Sequence, residues 1–230
     1  MNRKTKSVRQ VLTDEIYDSI KSLLMDHVIQ PGERVSIDGL ARNLKVSQTP
    51  IREALARLES DDLVVRKPLT GYSATPVLTL NELIELYEFR FMLEPRAIET
   101  ATKLMTVEGE ERLKEELNLA KKITTGGTYS AYRSVSEHDQ RFHQLIVTLS
   151  GNPFMDAAFR RSHCHLHLFR LHPTSAPIQK MAIREHGIIL KTILARDPKG
   201  ARAAMTSHLE NSRDRILPFI LKQGRAGQIL

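Results

Sequence analysis

A chain of 230 residues, 41% of them hydrophobic, is long enough for one large domain or two modest ones with a proper core. Its formal net charge of +7 and pI near 9.6 favour an acidic partner, nucleic acid first. The single cysteine, Cys164, excludes an intrachain disulfide framework and fits a reducing compartment; the basic start MNRKTKSVRQ lacks the apolar stretch of a signal peptide; no apolar run approaches membrane-spanning length. A cytoplasmic protein with no membrane partner is expected.

Residues 1–10 carry Arg3, Lys4, Lys6 and Arg9 and no acid, which reads equally as a phosphate-touching arm or a solvated tail. Over 13–29, Ile16, Ile20, Leu23 and Leu24 recur at helical spacing, and Pro31-Gly32 stops that helix. A short helix is expected near 38–44. Ser47 or Thr49 can cap the next, with Pro50 in its first turn. Ile51, Ala54, Leu55 and Leu58 form one face of it. Leu63-Val64-Val65 and Tyr72-Ser73-Ala74 read as strands joined by a turn over Lys67–Gly71. Pro76 marks a boundary, giving domains 1–76 and 77–230. Thr79 and Glu82 form a capping box that opens a long helix, which Pro95 is placed to kink. Further helices are expected at about 108–123, 129–149, 153–170, 177–195 and 198–220, with Gly151 at a helix end and Asp197-Pro198 at a helix start. The fold class is therefore mainly α. An N-terminal winged helix-turn-helix (three helices plus a β-hairpin wing) precedes an all-α antiparallel bundle of about six helices.

In a winged helix-turn-helix the second helix of the pair enters the major groove with its N-terminal residues on base edges. Here those residues are Gln48, Thr49 and Arg52. Arg can bind guanine with two hydrogen bonds and Gln can do so with adenine. Ser47 and Thr49 suit phosphates, the wing offers Arg66 and Lys67, and Gly71 lets the turn run close to the minor groove. The bland alternative is a protein–protein module of the same shape. The block SQTPIREALARLE followed by a glycine-tipped wing resembles the DNA-binding domain of the GntR family of bacterial transcription regulators, over about residues 10–76. Arg52 and Gly71 match the family pattern. The family usually has arginine where Gln48 stands, glycine where Lys45 stands, and often a basic residue or glutamate near Asp38. The change at Gln48 bears on operator preference more than on DNA binding.

In SEHDQRFHQLI, Asp139 and His143 lie four apart, one helical turn, on a face shared with Phe142 and Ile146. A buried aspartate needs a partner. His186 shares a stripe with Ile189, Leu190 and Ile193, and His208 flanks Ala204 and Met205. Spacing alone does not bring the four together, and an inward histidine is often a satisfied core residue. HDQRFHQLIVTLSGN and REHGIILKTILARDPKGARAAMTSHLE resemble the FadR-type C-terminal ligand-binding domain, FCD, over roughly residues 79–220. Many FCD members bind a divalent metal through one aspartate and three histidines, and those positions match Asp139, His143, His186 and His208. The resemblance implies one divalent transition metal per chain, Zn, Ni, Mn or Fe with Zn the default, and a small organic-acid effector completing its coordination. Arg90 stands where the family often has arginine, to pair with an effector carboxylate; a bond to Glu94 four residues on serves equally. In RRSHCHLHLFRLH, one continuous helix puts His163 and His167 on a face towards the effector, with His165 pointing away and His172 beyond them.

The leading functional expectation is a homodimeric, metabolite-responsive repressor that binds palindromic operator DNA. The alternative is a metal-dependent enzyme with an accessory nucleic-acid-binding module. Against the enzyme, neither Glu137 nor Glu185 makes a convincing general base. A purely structural metal is the third possibility.

Overall fold

The computed structural model describes residues 8–121, 129–171 and 176–226, so residues 1–7 of the basic arm expected over 1–10, and His172, lie outside the described residues, while residues 8–10 of that arm, with Arg9, belong to the first helix. The chain divides into two compact units, Met1–Val77 and Leu78–Leu230.

The first unit holds α1 (Val8–Met25), β1 (Arg34–Val35), α2 (Ile37–Leu44), α3 (Gln48–Ser60), β2 (Val64–Lys67) and β3 (Gly71–Ala74). α1 ends four residues earlier than its apolar spacing suggested. The chain turns back at His27, which takes φ 54°, and the Val28 and Ile29 N–H groups both donate to the Leu23 carbonyl. Ser36 caps α2 by accepting from the Gly39 N–H, whereas Ser47 begins α3 without a side-chain cap bond. Ile16, Ile20 and Leu24 of α1 are buried with Ile51, Ala54, Leu55 and Leu58 of α3. Burying one face of α3 leaves the opposite face to solvent. The wing hairpin pairs Val64 with Ala74 and Lys67 with Gly71. The expected two-stranded sheet has a third member: β1 pairs antiparallel with β3, so the order is β1-β3-β2.

The second unit is helical: α4 (Leu80–Leu104), α5 (Val107–Ala120), α6 (Tyr129–Leu149), α7 (Pro153–Arg161), α8 (Cys164–Leu171), α9 (Ala176–Leu194) and α10 (Pro198–Ala226). Thr79 and Glu82 make the capping box of α4, and that helix continues through Pro95. The single helix expected over 153–170 is two. His163 takes φ 42°, a left-handed conformation that closes α7, so the helical phase restarts at Cys164. α10 packs along α4 and α9, α6 packs on α4 and α5, and α5 also meets α9. Ile98, Leu113, Leu117, Phe142, Ile146, Ile189, Ile193, Met205 and Leu209 form a shared core between these five helices. α4, α5, α6, α8, α9 and α10 also supply the polar side chains described next.

Candidate metal centre and nucleic-acid interface

Asp139 and His143 of α6, His186 of α9 and His208 of α10 offer ligand atoms that all lie within 4.8 Å of one another. The three histidines are at most 3% exposed. The Nε2 atoms of His143 and His186 are 3.3 Å apart, and His186 Nε2 is 3.4 Å from Asp139 Oδ1.

Outer partners fix which ring nitrogen faces the centre. An ionised carboxylate only accepts hydrogen bonds, so an imidazole nitrogen beside one carries the proton. His143 donates from Nδ1 to Glu94 Oε2 at 2.5 Å, and His208 donates from Nδ1 to Glu185 Oε2 at 2.8 Å. His138 donates from Nδ1 to Glu116 Oε1 at 2.9 Å. With its proton at Nδ1, His138 accepts at Nε2 from His186 Nδ1, 3.0 Å away. Each of the three convergent imidazoles therefore uses Nδ1 outwards and aims an unprotonated Nε2 inwards. Two such lone pairs facing each other at 3.3 Å repel unless a cation lies between them. Two nitrogens each about 2.0–2.1 Å from a tetrahedral zinc would be about 3.3 Å apart. Donor set, tautomers and spacing all fit a transition metal.

The carboxylates are anchored in turn. Arg90 donates to Glu94 from Nε at 2.5 Å and from Nη2 at 3.4 Å, both side chains being almost wholly buried. Arg215 grips Glu185 with both terminal nitrogens, at 2.6 and 2.9 Å. Asp139 Oδ2 accepts from His165 Nδ1 at 2.7 Å. Burial opposes charge on Asp139, but His165 and the neighbouring imidazoles outweigh it and hold the carboxyl well below the usual range. Burial pushes the His143 imidazolium down to about 4, against the pull of Glu94, and pushes His186 well below its ordinary value. Glu185 is held at about 2 because its bonds to His208 and Arg215 outweigh its burial. At neutral pH Asp139 is thus an anion beside neutral His143 and His186, the state that binds metal.

A cavity of about 60 Å³ opens on Asp139 and His208. Arg90 lies on its wall, although the guanidinium is already paired with Glu94. His163 and His167, expected there, are half-buried and are not among the lining residues; α8 contributes Leu168 and Phe169 instead. His165, expected to point away, is the inward one. The break at His163 resets the helical phase on which that expectation rested. His138, His165, Glu94, Glu116 and Glu185 all escaped the sequence reading as parts of this cluster. Glu94 alone left a signal, four residues after Arg90.

In the first unit, Ser47, Gln48, Thr49, Arg52, Arg66, Lys67 and Gly71 are all exposed. The first four begin α3 on its solvent side, and the last three lie on the wing. Gly71 has φ +87°, which favours glycine at that turn. Gln48 is bonded on both sides. Its Nε2 donates to Asp38 Oδ1 at 2.5 Å while its Oε1 accepts from Arg52 Nη2 at 3.2 Å. Asp38, Gln48 and Arg52 form one chain that orients the guanidinium.

Two family profiles match. Residues 85–211 match the FCD domain, and residues 12–73 match the bacterial regulatory proteins of the gntR family. The uncharacterized HTH-type transcriptional regulator YdhC of Bacillus subtilis is 27% identical over 212 residues, covering 92% of this chain and 93% of that protein. The Nta operon transcriptional regulator of Aminobacter aminovorans is 27% identical over 201 residues, covering 86% of this chain and 91% of its own length. Among solved structures, Escherichia coli McbR/YncC superposes with a TM-score of 0.67 at 22% identity, covering 92% of this chain and 98% of that one, a likeness of fold.

Proposed function

This chain belongs to the GntR family of bacterial transcription regulators and carries an FCD domain, and from that premise we propose that it is a metabolite-responsive repressor. It is a regulator rather than an enzyme, and Glu185, the carboxylate nearest a base role, is committed to His208 and Arg215. On this reading a homodimer binds a palindromic operator, the half-site spacing following the protein two-fold. Arg52, held by Gln48, reads a base edge; Ser47, Thr49, Arg66 and Lys67 position the backbone. A small organic acid enters the cavity beside Asp139 and His208 and releases the operator.

Asp139, His143, His186 and His208 would hold one divalent transition metal, with zinc the default. Such an ion would supply a fixed positive charge with coordination positions open to a carboxylate. The observation that carries this reading is the outward commitment of all three Nδ1 atoms, which leaves three Nε2 lone pairs and one carboxylate converging. His165, Glu94, Glu185 and the His138–Glu116 pair orient those ligands. The effector controls DNA only through different affinity for the DNA-competent and DNA-incompetent states.

The test has two stages. Selection from random duplex DNA is expected to enrich a palindrome. Its release by small carboxylates is then followed with metal-loaded and chelated protein. Release only in the loaded form supports the reading; a non-palindromic consensus, or no carboxylate that alters operator affinity, contradicts it.

A further inference from the structure

The cavity changes character with distance from the four-residue cluster. On α6, Val135 lies one turn before Asp139. On α9, Ala182 and Ile178 lie one and two turns before His186, and on α10, Ile216 lies two turns after His208. Eight residues, as from Ile178 to His186, is about 12 Å of helix. Leu168 and Phe169 of α8 add to the apolar wall, and Phe169 stacks on Tyr132. The polar lining is different in kind, because most of it is bonded into the cluster. Arg90 reaches His143 through Glu94, and Arg215 reaches His208 through Glu185.

The charges at the polar end are nearly used up. Arg90 is offset by Glu94 and Arg215 by Glu185, so neither has a whole charge to offer an added anion. Asp139 would offset part of a divalent ion's charge and leave positive charge at the cluster for a carboxylate. A second carboxylate would lie against Val135, Ile178 and Ile216 with no counter-charge beside it, and of several hydroxyls there the buried Gln179 Oε1, unpartnered among the described residues, could take up one.

We infer that the ligand of this cavity is an amphipathic monocarboxylate, its carboxylate at the cluster and its hydrocarbon tail along the Val135–Ile178–Ile216 wall, rather than a dicarboxylate or a polyhydroxylated acid. The inference rests on the effector reading above and narrows it to a chemical class.

The test is calorimetric titration of the full-length, zinc-loaded protein with acetate, butanoate, hexanoate, succinate and gluconate, with thermal shift as a parallel readout. Affinity is expected to rise about fourfold per added methylene until the cavity is full. Butanoate then exceeds acetate by about fifteenfold and exceeds succinate and gluconate by at least about tenfold. Ile178→Ser is expected to flatten the dependence on tail length. Affinity independent of tail length, or tighter binding of succinate or gluconate than of butanoate, overturns the inference while leaving a carboxylate effector in place. No heat and no shift from any of the five removes the effector reading as well.

Discussion

Glu94→Gln isolates the buried charge network. Glu94 and Arg90 are each about 1% exposed, and Glu94 also accepts from His143. Gln keeps the shape and an acceptor for His143 Nδ1 but removes the counter-charge of Arg90. Breaking a buried pair on one side costs about 3–5 kcal/mol, because the remaining charge is stranded. In a domain of this size each kcal/mol moves the melting point by about 2–4 °C, so a drop of about 10 °C is expected in the metal-free protein. The double variant Arg90→Met/Glu94→Gln removes the stranded charge and should recover most of that loss. Differential scanning calorimetry on wild type, both single variants and the double variant closes the cycle. A loss below about 1 kcal/mol in Glu94→Gln, or a double variant no more stable than that single one, would refute the reasoning.

Three further outcomes follow from the same geometry. His143 titrates near 4 in the folded protein against an ordinary value of 6.5, so the native state binds fewer protons between those limits. Its contribution to stability is whole above about pH 6.5 and is lost as pH falls towards 4, and metal retention should fall over the same window, as titration calorimetry across pH will show. His138→Phe takes away the acceptor for His186 Nδ1 and is expected to weaken metal binding by about 10–100-fold in competition with a chromophoric chelator. On the DNA side, Arg52→Ala should cost about 1–3 kcal/mol of specific operator binding, while Asp38→Ala, by releasing Gln48, should broaden base preference with a smaller loss; unchanged selectivity in Asp38→Ala would deny Gln48 its positioning role.

What could be read in the sequence was mostly local. The α4 start was visible because Thr79 and Glu82 satisfy each other within one turn. The buried stripe of α3 was visible because Ile51, Ala54, Leu55 and Leu58 keep one period. β1 was not visible: two residues, Arg34 and Val35, carry no pattern and become a strand only because β3 is beside them. At the site, spacing supplied only the Asp139–His143 pair, and His186 and His208 joined it through resemblance to a family. Their outer partners were hidden for a physical reason. Glu116 meets His138 from 22 residues away, Glu185 meets His208 from 23, and Glu94 meets His143 from 49. No local period encodes such pairs. His165 was misassigned because one left-handed residue, His163, shifted the phase of everything after it.

Elemental analysis of the purified protein beside Asp139→Ala/His143→Ala tests the central claim most directly. About one transition metal per chain in the wild type, absent from the variant, is the expected result. Protein purified without metal that takes up none when zinc is offered would contradict it, and the converging Nε2 atoms would then be joined by protons or water.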